Sequence, residues 1–162
     1  MERATRKCYA SRDPTSMAPF KKHYTALVVI NIFAMATALY LTWAHFKPSL
    51  TEFCVFGEWW NCDIVNKSIY SEILNIPVAI LGLVAYTAFL IFSIRGLFRD
   101  QRKLIPYFLF VVTGGTLFAL YLTGIETFVL RTYCLFCVIQ QILILIELNI
   151  VVNLYKHTKK HS

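Results

Sequence analysis

Four stretches of this 162-residue chain, 24–44, 76–94, 104–125 and 133–155, are long and apolar enough to be membrane-crossing helices, each of which takes about 20 residues. Lipid offers no hydrogen-bond partner to the backbone, so such runs must be helical. Composition agrees. The chain is 57% hydrophobic and 15% charged, against roughly 45–50% and 25% for a soluble domain. The expected fold is therefore an all-α membrane protein, a four-helix bundle in one domain. Pro77 and Pro106 fall in the first turns of the second and third runs, where a missing N–H costs little. Gly114 and Gly115, midway along the third run, are expected to let a neighbouring helix approach closely.

A net charge of +7 raises nucleic acid as a partner, but its placement has a simpler cause. Of the 16 Lys and Arg, 13 fall in the arm 1–23, the link 95–103 and the tail 156–162. The alternate segments hold only Lys47, Lys67 and Arg131. The positive-inside rule then puts both termini in the cytoplasm and the 45–75 loop outside, with the basic collar against anionic lipid. No nucleic-acid partner is required. Ala34, Ala36 and Ala38 resemble a signal-peptide cleavage site, but the first run exceeds the 7–15 residues of a typical signal core. Cleavage would also move the C-terminus outside, so a retained span is expected.

This topology sorts the cysteines. Cys8 is in the cytoplasmic arm and reads as a dispensable thiol, while Cys54 and Cys62 in the outer loop pair off against Cys134 and Cys137 at the outer head of the fourth run. Four of five therefore face the compartment where disulfides persist. Cys134 and Cys137 form a CxxC at a helix start, where unpaired N–H groups and the macrodipole favour a thiolate, and Arg131 adds to this. A structural staple so short would remove little loop entropy. A redox-active dithiol is the better reading, and a lipid-soluble quinone is the natural acceptor at the head of a span. Cys54 and Cys62, eight apart, enclose Gly57, Trp59 and Trp60. Trp at the interface can rest the loop on the membrane and carry Cys62 to Cys134 for exchange through mixed disulfides; a permanent loop disulfide is the alternative. Zinc would need two close Cys knuckles, and the eight-residue spacing supplies only one, so no metal is expected.

The fourth run also carries Gln140, Gln141, Glu147, Asn149 and Asn153. Helical periodicity puts Gln140, Gln141 and Glu147 on the CxxC side. The two glutamines are near enough to bond a quinone carbonyl, with interhelical packing as the alternative for each. Glu147 lies about 15 Å below Cys137 by helix rise, and a neutral, hydrogen-bonded role and a proton-handling one are both open. Asn31 reads as an interhelical hydrogen bond.

From about Tyr24 to Tyr155 the ordered set resembles the vitamin K epoxide reductase family of membrane thiol oxidoreductases. Its carriers are Cys54, Cys62, Ser68 six residues on, Ile76, Pro77, Gly82, Tyr86, and Tyr133 followed by Cys134 and Cys137. The resemblance implies a four-helix bundle around a quinone with the CxxC as active site. Cys137 would face the quinone, Cys134 would exchange with Cys62, Cys54 would meet an external thioredoxin-like partner, and Ser68 would lie near the quinone headgroup. A thioredoxin-like domain, fused in many bacterial members, is not among these 162 residues, so the partner is expected to be a separate protein. Val78 and Gln141 stand where the vertebrate branch has Asn and Tyr, which favours quinone reduction over epoxide reduction.

The function expected is a quinone-dependent thiol–disulfide oxidoreductase that oxidises the extracytoplasmic partner and supports disulfide formation. Its quinone would be menaquinone, ubiquinone or phylloquinone, in a bacterial or archaeal plasma membrane. One alternative is a vitamin K quinone or epoxide reductase of the endoplasmic reticulum, since Lys159 and Lys160 occupy dilysine retrieval positions. Another is a non-enzymatic membrane protein, disulfide-stapled or metal-binding. The disulfide bond protein B type places its CxxC in the first outer loop, whereas here it opens the last span.

Overall fold

The computed structural model describes residues 14–47, 55–56, 59–99 and 101–160. Cys8 with most of the basic arm, and Cys54 and Gly57 of the long loop, lie outside them. Among the described residues four long helices dominate: α1 (Pro14–His45), α3 (Val78–Phe98), α4 (Ile105–Ile125) and α5 (Leu135–Lys160). All four are long and apolar enough to cross a membrane, and the protein is an all-α membrane bundle. The loop between α1 and α3 holds two small hairpins, β1 (Val55–Phe56) with β2 (Trp60–Asn61) and β3 (Glu72–Ile73) with β4 (Ile76–Pro77). Between the hairpins comes a short helix, α2 (Cys62–Asn66).

The second and fourth helices start two residues later than the apolar runs suggest. Ile76 pairs with Ile73 and Pro77 with Glu72, around a two-residue turn in which Leu74 (φ 53°) and Asn75 (φ 63°) are both left-handed. That is the backbone a tight hairpin demands. Pro77 therefore stands just before the helix, not in its first turn. Pro106 does open α4. Tyr133 is likewise held in a backbone pairing, and α5 begins at Leu135.

α1 packs most extensively on α3, α4 packs on α5, and α1 also meets α5. Leu27, Ile105, Val112, Val151 and Leu154 are fully buried. Phe108 of α4 stacks on Phe92 at 4.3 Å and meets the edge of Phe89 at 5.0 Å, joining α4 to α3. The outer faces expose Phe33, Val84, Phe110, Leu117 and Ile142, the surface expected of helices solvated by lipid. Buried polar groups are mostly answered inside the bundle. Ser93 and Thr116 donate to the carbonyls of Phe89 and Val112, one turn back, each at 2.8 Å. Asn31 donates to the Leu27 carbonyl and, at 3.0 Å, to Glu147 Oε1, tying α1 to α5.

The close helix approach does not run through both glycines of the third run. A Cβ at Gly115 would meet Ile144 of α5 at 3.1 Å, but at Gly114 it would meet nothing within 4 Å. The tightest contact is at Gly96 of α3, where a Cβ would overlap the ring of Tyr24 on α1. Gly96→Ala should therefore destabilise the protein by about 1–3 kcal/mol, the usual cost of overpacking. Gly114→Ala should be neutral or stabilising by up to about 1 kcal/mol, as for Gly→Ala in an unobstructed helix. Unfolding in mixed detergent micelles ranks the two, and equal effects would contradict the packing described.

Candidate functional site

The chain must leave α4 and enter α5 at the edge of the apolar layer, where unpaired backbone groups are costly. It does so through a wide helical turn, Glu126–Leu130, closed by Arg131 in the left-handed conformation (φ 51°). The Glu126 carbonyl accepts from Thr132 N–H at 3.3 Å. Cys134 then precedes the first residue of α5 instead of lying within the helix. Its Sγ accepts from the Cys137 N–H at 3.3 Å and its carbonyl from Val138 N–H at 3.0 Å. This is the bonding of a helix N-cap, with sulfur in the place a hydroxyl usually takes. Cys134 is fully buried and Cys137 half-buried, and both are free thiols.

Beside the thiols lies a residue that sequence reasoning placed in an outer link. Glu126 is only 3% exposed. Its Oε2 accepts from Cys134 N–H at 3.2 Å, and its carboxylate also reaches the Cys137 thiol. A carboxylate that ends an apolar run reads as a loop boundary, and only the wide turn folds it back. The available signal was its position as the one acidic residue between the third run and the CxxC.

The outer loop is fastened to this junction by its backbone. Tyr133 N–H donates to the Trp59 carbonyl at 2.8 Å, Asn61 N–H donates to the Tyr133 carbonyl at 3.0 Å, and the Trp60 and Tyr133 rings lie 5.8 Å apart. The Asn61 side chain caps α2 by accepting from the N–H groups of Asp63 and Ile64. Cys62, at the head of α2, is 3% exposed and shares one buried cluster with Cys134, Leu41 and Val65, against which Cys137 packs. It is disulfide-bonded, and its partner is not among the described residues. The far end of α2 is anchored to α1. Asn66 donates to the Leu41 carbonyl at 2.8 Å and accepts at its own carbonyl from His45 Nδ1 at 2.7 Å and Ser71 Oγ at 2.6 Å. His45 Nε2 lies 3.2 Å from Glu72.

The structure thus gathers Cys62, Cys134 and Cys137, while Cys54 is outside the described residues. Ser68 is half-buried, and its hydroxyl donates to the Val65 carbonyl at 2.8 Å. Gln140 Nε2 bridges to α1 through the Ala34 carbonyl at 2.9 Å and Thr37 Oγ1 at 2.8 Å, and its Oε1 is left unpartnered. Gln141 Oε1 accepts from Thr123 of α4 at 3.5 Å, and its Nε2 is left unpartnered. Glu147 is paired with Asn31, away from the thiols.

A dithiol at a helix N-terminus, buried in a four-helix membrane bundle beside a third cysteine held in a disulfide, defines a membrane redox enzyme, an oxidoreductase. A family model described as the vitamin K epoxide reductase family matches residues 25–152, which run from within α1 to within α5 and include the loop between α1 and α3. The chain belongs to that family.

Burial orders the two thiols. In the reduced protein a maleimide should label Cys137 at least about tenfold faster than Cys134, because a fully buried thiol reacts only on local opening. Asn61→Ala removes the α2 cap, worth about 1 kcal/mol, and should narrow that ratio. Labelling resolved by peptide mass checks both, and faster reaction at Cys134 would contradict the geometry.

Proposed function

We propose that this chain oxidises a separate extracytoplasmic thioredoxin-like protein and delivers the electrons to a quinone, sustaining disulfide formation outside the cytoplasm. The observation that carries this reading is the shared burial of Cys62 and Cys134, with Cys137 packed against them. Disulfide exchange requires a thiolate to approach a disulfide sulfur directly, and a common cluster is what allows it. When bound, a quinone supplies the two-electron oxidant. The protein's own steps are exchanges among its sulfurs. Cys62 attacks Cys134 of an oxidised Cys134–Cys137 pair, forming a mixed disulfide and releasing Cys137 as thiolate. Cys54 then attacks Cys62, which frees Cys134 and closes a Cys54–Cys62 disulfide for the partner's dithiol to reduce.

The glutamines offer complementary ends to a quinone headgroup. Gln141 Nε2 is a buried donor without a partner and Gln140 Oε1 a buried acceptor without one, matching a carbonyl and a hydroquinone hydroxyl respectively. Ser68, whose proton is committed to Val65, suits the hydroquinone state better than the quinone. The distribution of Lys and Arg supports both termini in the cytoplasm and the CxxC facing outward, as in a bacterial or archaeal plasma membrane.

Purified protein given dithiothreitol and a short-chain quinone should consume quinone. Cys134→Ala or Cys137→Ala should lower the rate at least about a thousandfold, as loss of a reacting nucleophile does. Cys54→Ala should spare small-thiol oxidation and abolish oxidation of a thioredoxin-like dithiol protein. Undiminished quinone consumption in both CxxC variants would refute the proposal.

A further inference from the structure

The relay just described releases Cys137 as a thiolate and later requires both CxxC thiols to give up protons, yet it assigns no group to hold them. Net, two thiols and one quinone become one disulfide and one hydroquinone, so two electrons and two protons leave sulfur together. The protein must offer a proton acceptor at the half-buried Cys137 thiol, and a positioned side chain there typically contributes 10²–10⁴-fold. We propose that Glu126 is a catalytic residue of this site: its carboxylate accepts the Cys137 proton as the dithiol is oxidised and gives that proton up to the hydroquinone that forms, which leaves the carboxylate ionised for the next cycle.

Three observations converge on Glu126. The carboxylate interacts with the Cys137 thiol. It is held beside it by the Cys134 N–H at 3.2 Å, so one carboxylate serves both members of the CxxC. It is also buried at 3% exposure at the start of a wide helical turn, a costly place for a carboxylate that would reach water in an ordinary loop. Turns of this type interrupt helices frequently at functional sites. The titratable group that the structure sets against Glu126 is the Cys137 thiol, which in turn interacts with the Cys134 thiol. Arg131 of the same junction is exposed. In the neighbouring loop Lys67 pairs with Asp63 at 3.6 Å, and His45 Nε2 lies 3.2 Å from Glu72.

A carboxylate could sit here only to cap Cys134, and Glu126→Gln separates the two roles, because the amide oxygen still accepts from Cys134 N–H but cannot take a thiol proton. This inference rests on the proposed quinone-linked function, so the test reads both turnover and a property of the reduced protein without quinone. Maleimide labelling of Cys137 in the full chain, followed from mildly acidic to alkaline pH, should show the two-step profile of a coupled acid pair. E126Q should collapse it to one step with a displaced midpoint, lower quinone turnover about a hundredfold or more and leave the KM for quinone unchanged. Should E126Q leave both profile and turnover as in the parent while Glu126→Ala unfolds more readily, Glu126 is a cap alone and the inference is overturned. If the parent consumes no quinone yet its two-step profile is lost in E126Q, the proposed function fails and the Glu126–Cys137 proton pair stands.

Discussion

Everything at the CxxC end of this bundle follows from one constraint: the backbone that joins α4 to α5 must be satisfied between two apolar helices. Three N–H groups at the junction find acceptors that also serve the site. The Glu126 carboxylate takes Cys134, the Trp59 carbonyl takes Tyr133, and the Cys134 sulfur takes Cys137. A chain that met the same demand with a simple Gly or Asn cap would leave the two thiols without a carboxylate and without a docked loop. Backbone satisfaction and assembly of the redox centre are thus the same set of hydrogen bonds.

Those bonds explain why the described part of the loop between α1 and α3 does not simply float above the helices. Tyr133 pairs with the β2 strand directly ahead of Cys62, so the distance between Cys62 and Cys134 is governed by a few backbone contacts next to both residues. At the other end Asn66 locks α2 to the last turns of α1. A short helix held at both ends is poorly stable alone, but here it does not need to be. Its role in the fold is to keep one buried sulfur within a cluster formed by two other segments.

Much of the architecture was legible in the sequence because hydrophobicity over some twenty residues is a local property. So is the CxxC, which lies beside the helix start that the apolar run marks. What escaped was whatever depended on the partner element. Nothing in the residues around Gly114 or Gly96 says which glycine faces a neighbouring helix, yet only Gly96 receives a tyrosine ring. The start of α3 was displaced because Leu74, a poor residue for a left-handed turn, hides a hairpin that Asn75 alone would have hinted at. Glu126 escaped for the same reason, since its burial is created by a turn that sequence periodicity cannot detect. Gln140 and Gln141 were legible as polar, but their use was not. One nitrogen bridges to α1 and one oxygen to α4, leaving opposite hydrogen-bonding ends free.

The buried polar groups along α5 divide by depth, and the division bears on how such a bundle combines rigidity with chemistry. Glu147 and Asn31, deep between α5 and α1, satisfy part of each other across the helix interface. Interhelical hydrogen bonds of this kind are worth on average about 0.6 kcal/mol in membranes, too little to drive assembly but enough to fix the rotation of one helix against another. That rotation sets which face of α5 points inward about two and three turns further along, where Gln141, Gln140 and Cys137 follow. A slip of one residue would turn that face by about 100° and carry the half-buried thiol away from Glu126. The deep pair therefore fixes the rotation of α5 against α1, and with it the direction in which the shallow polar groups of α5 face.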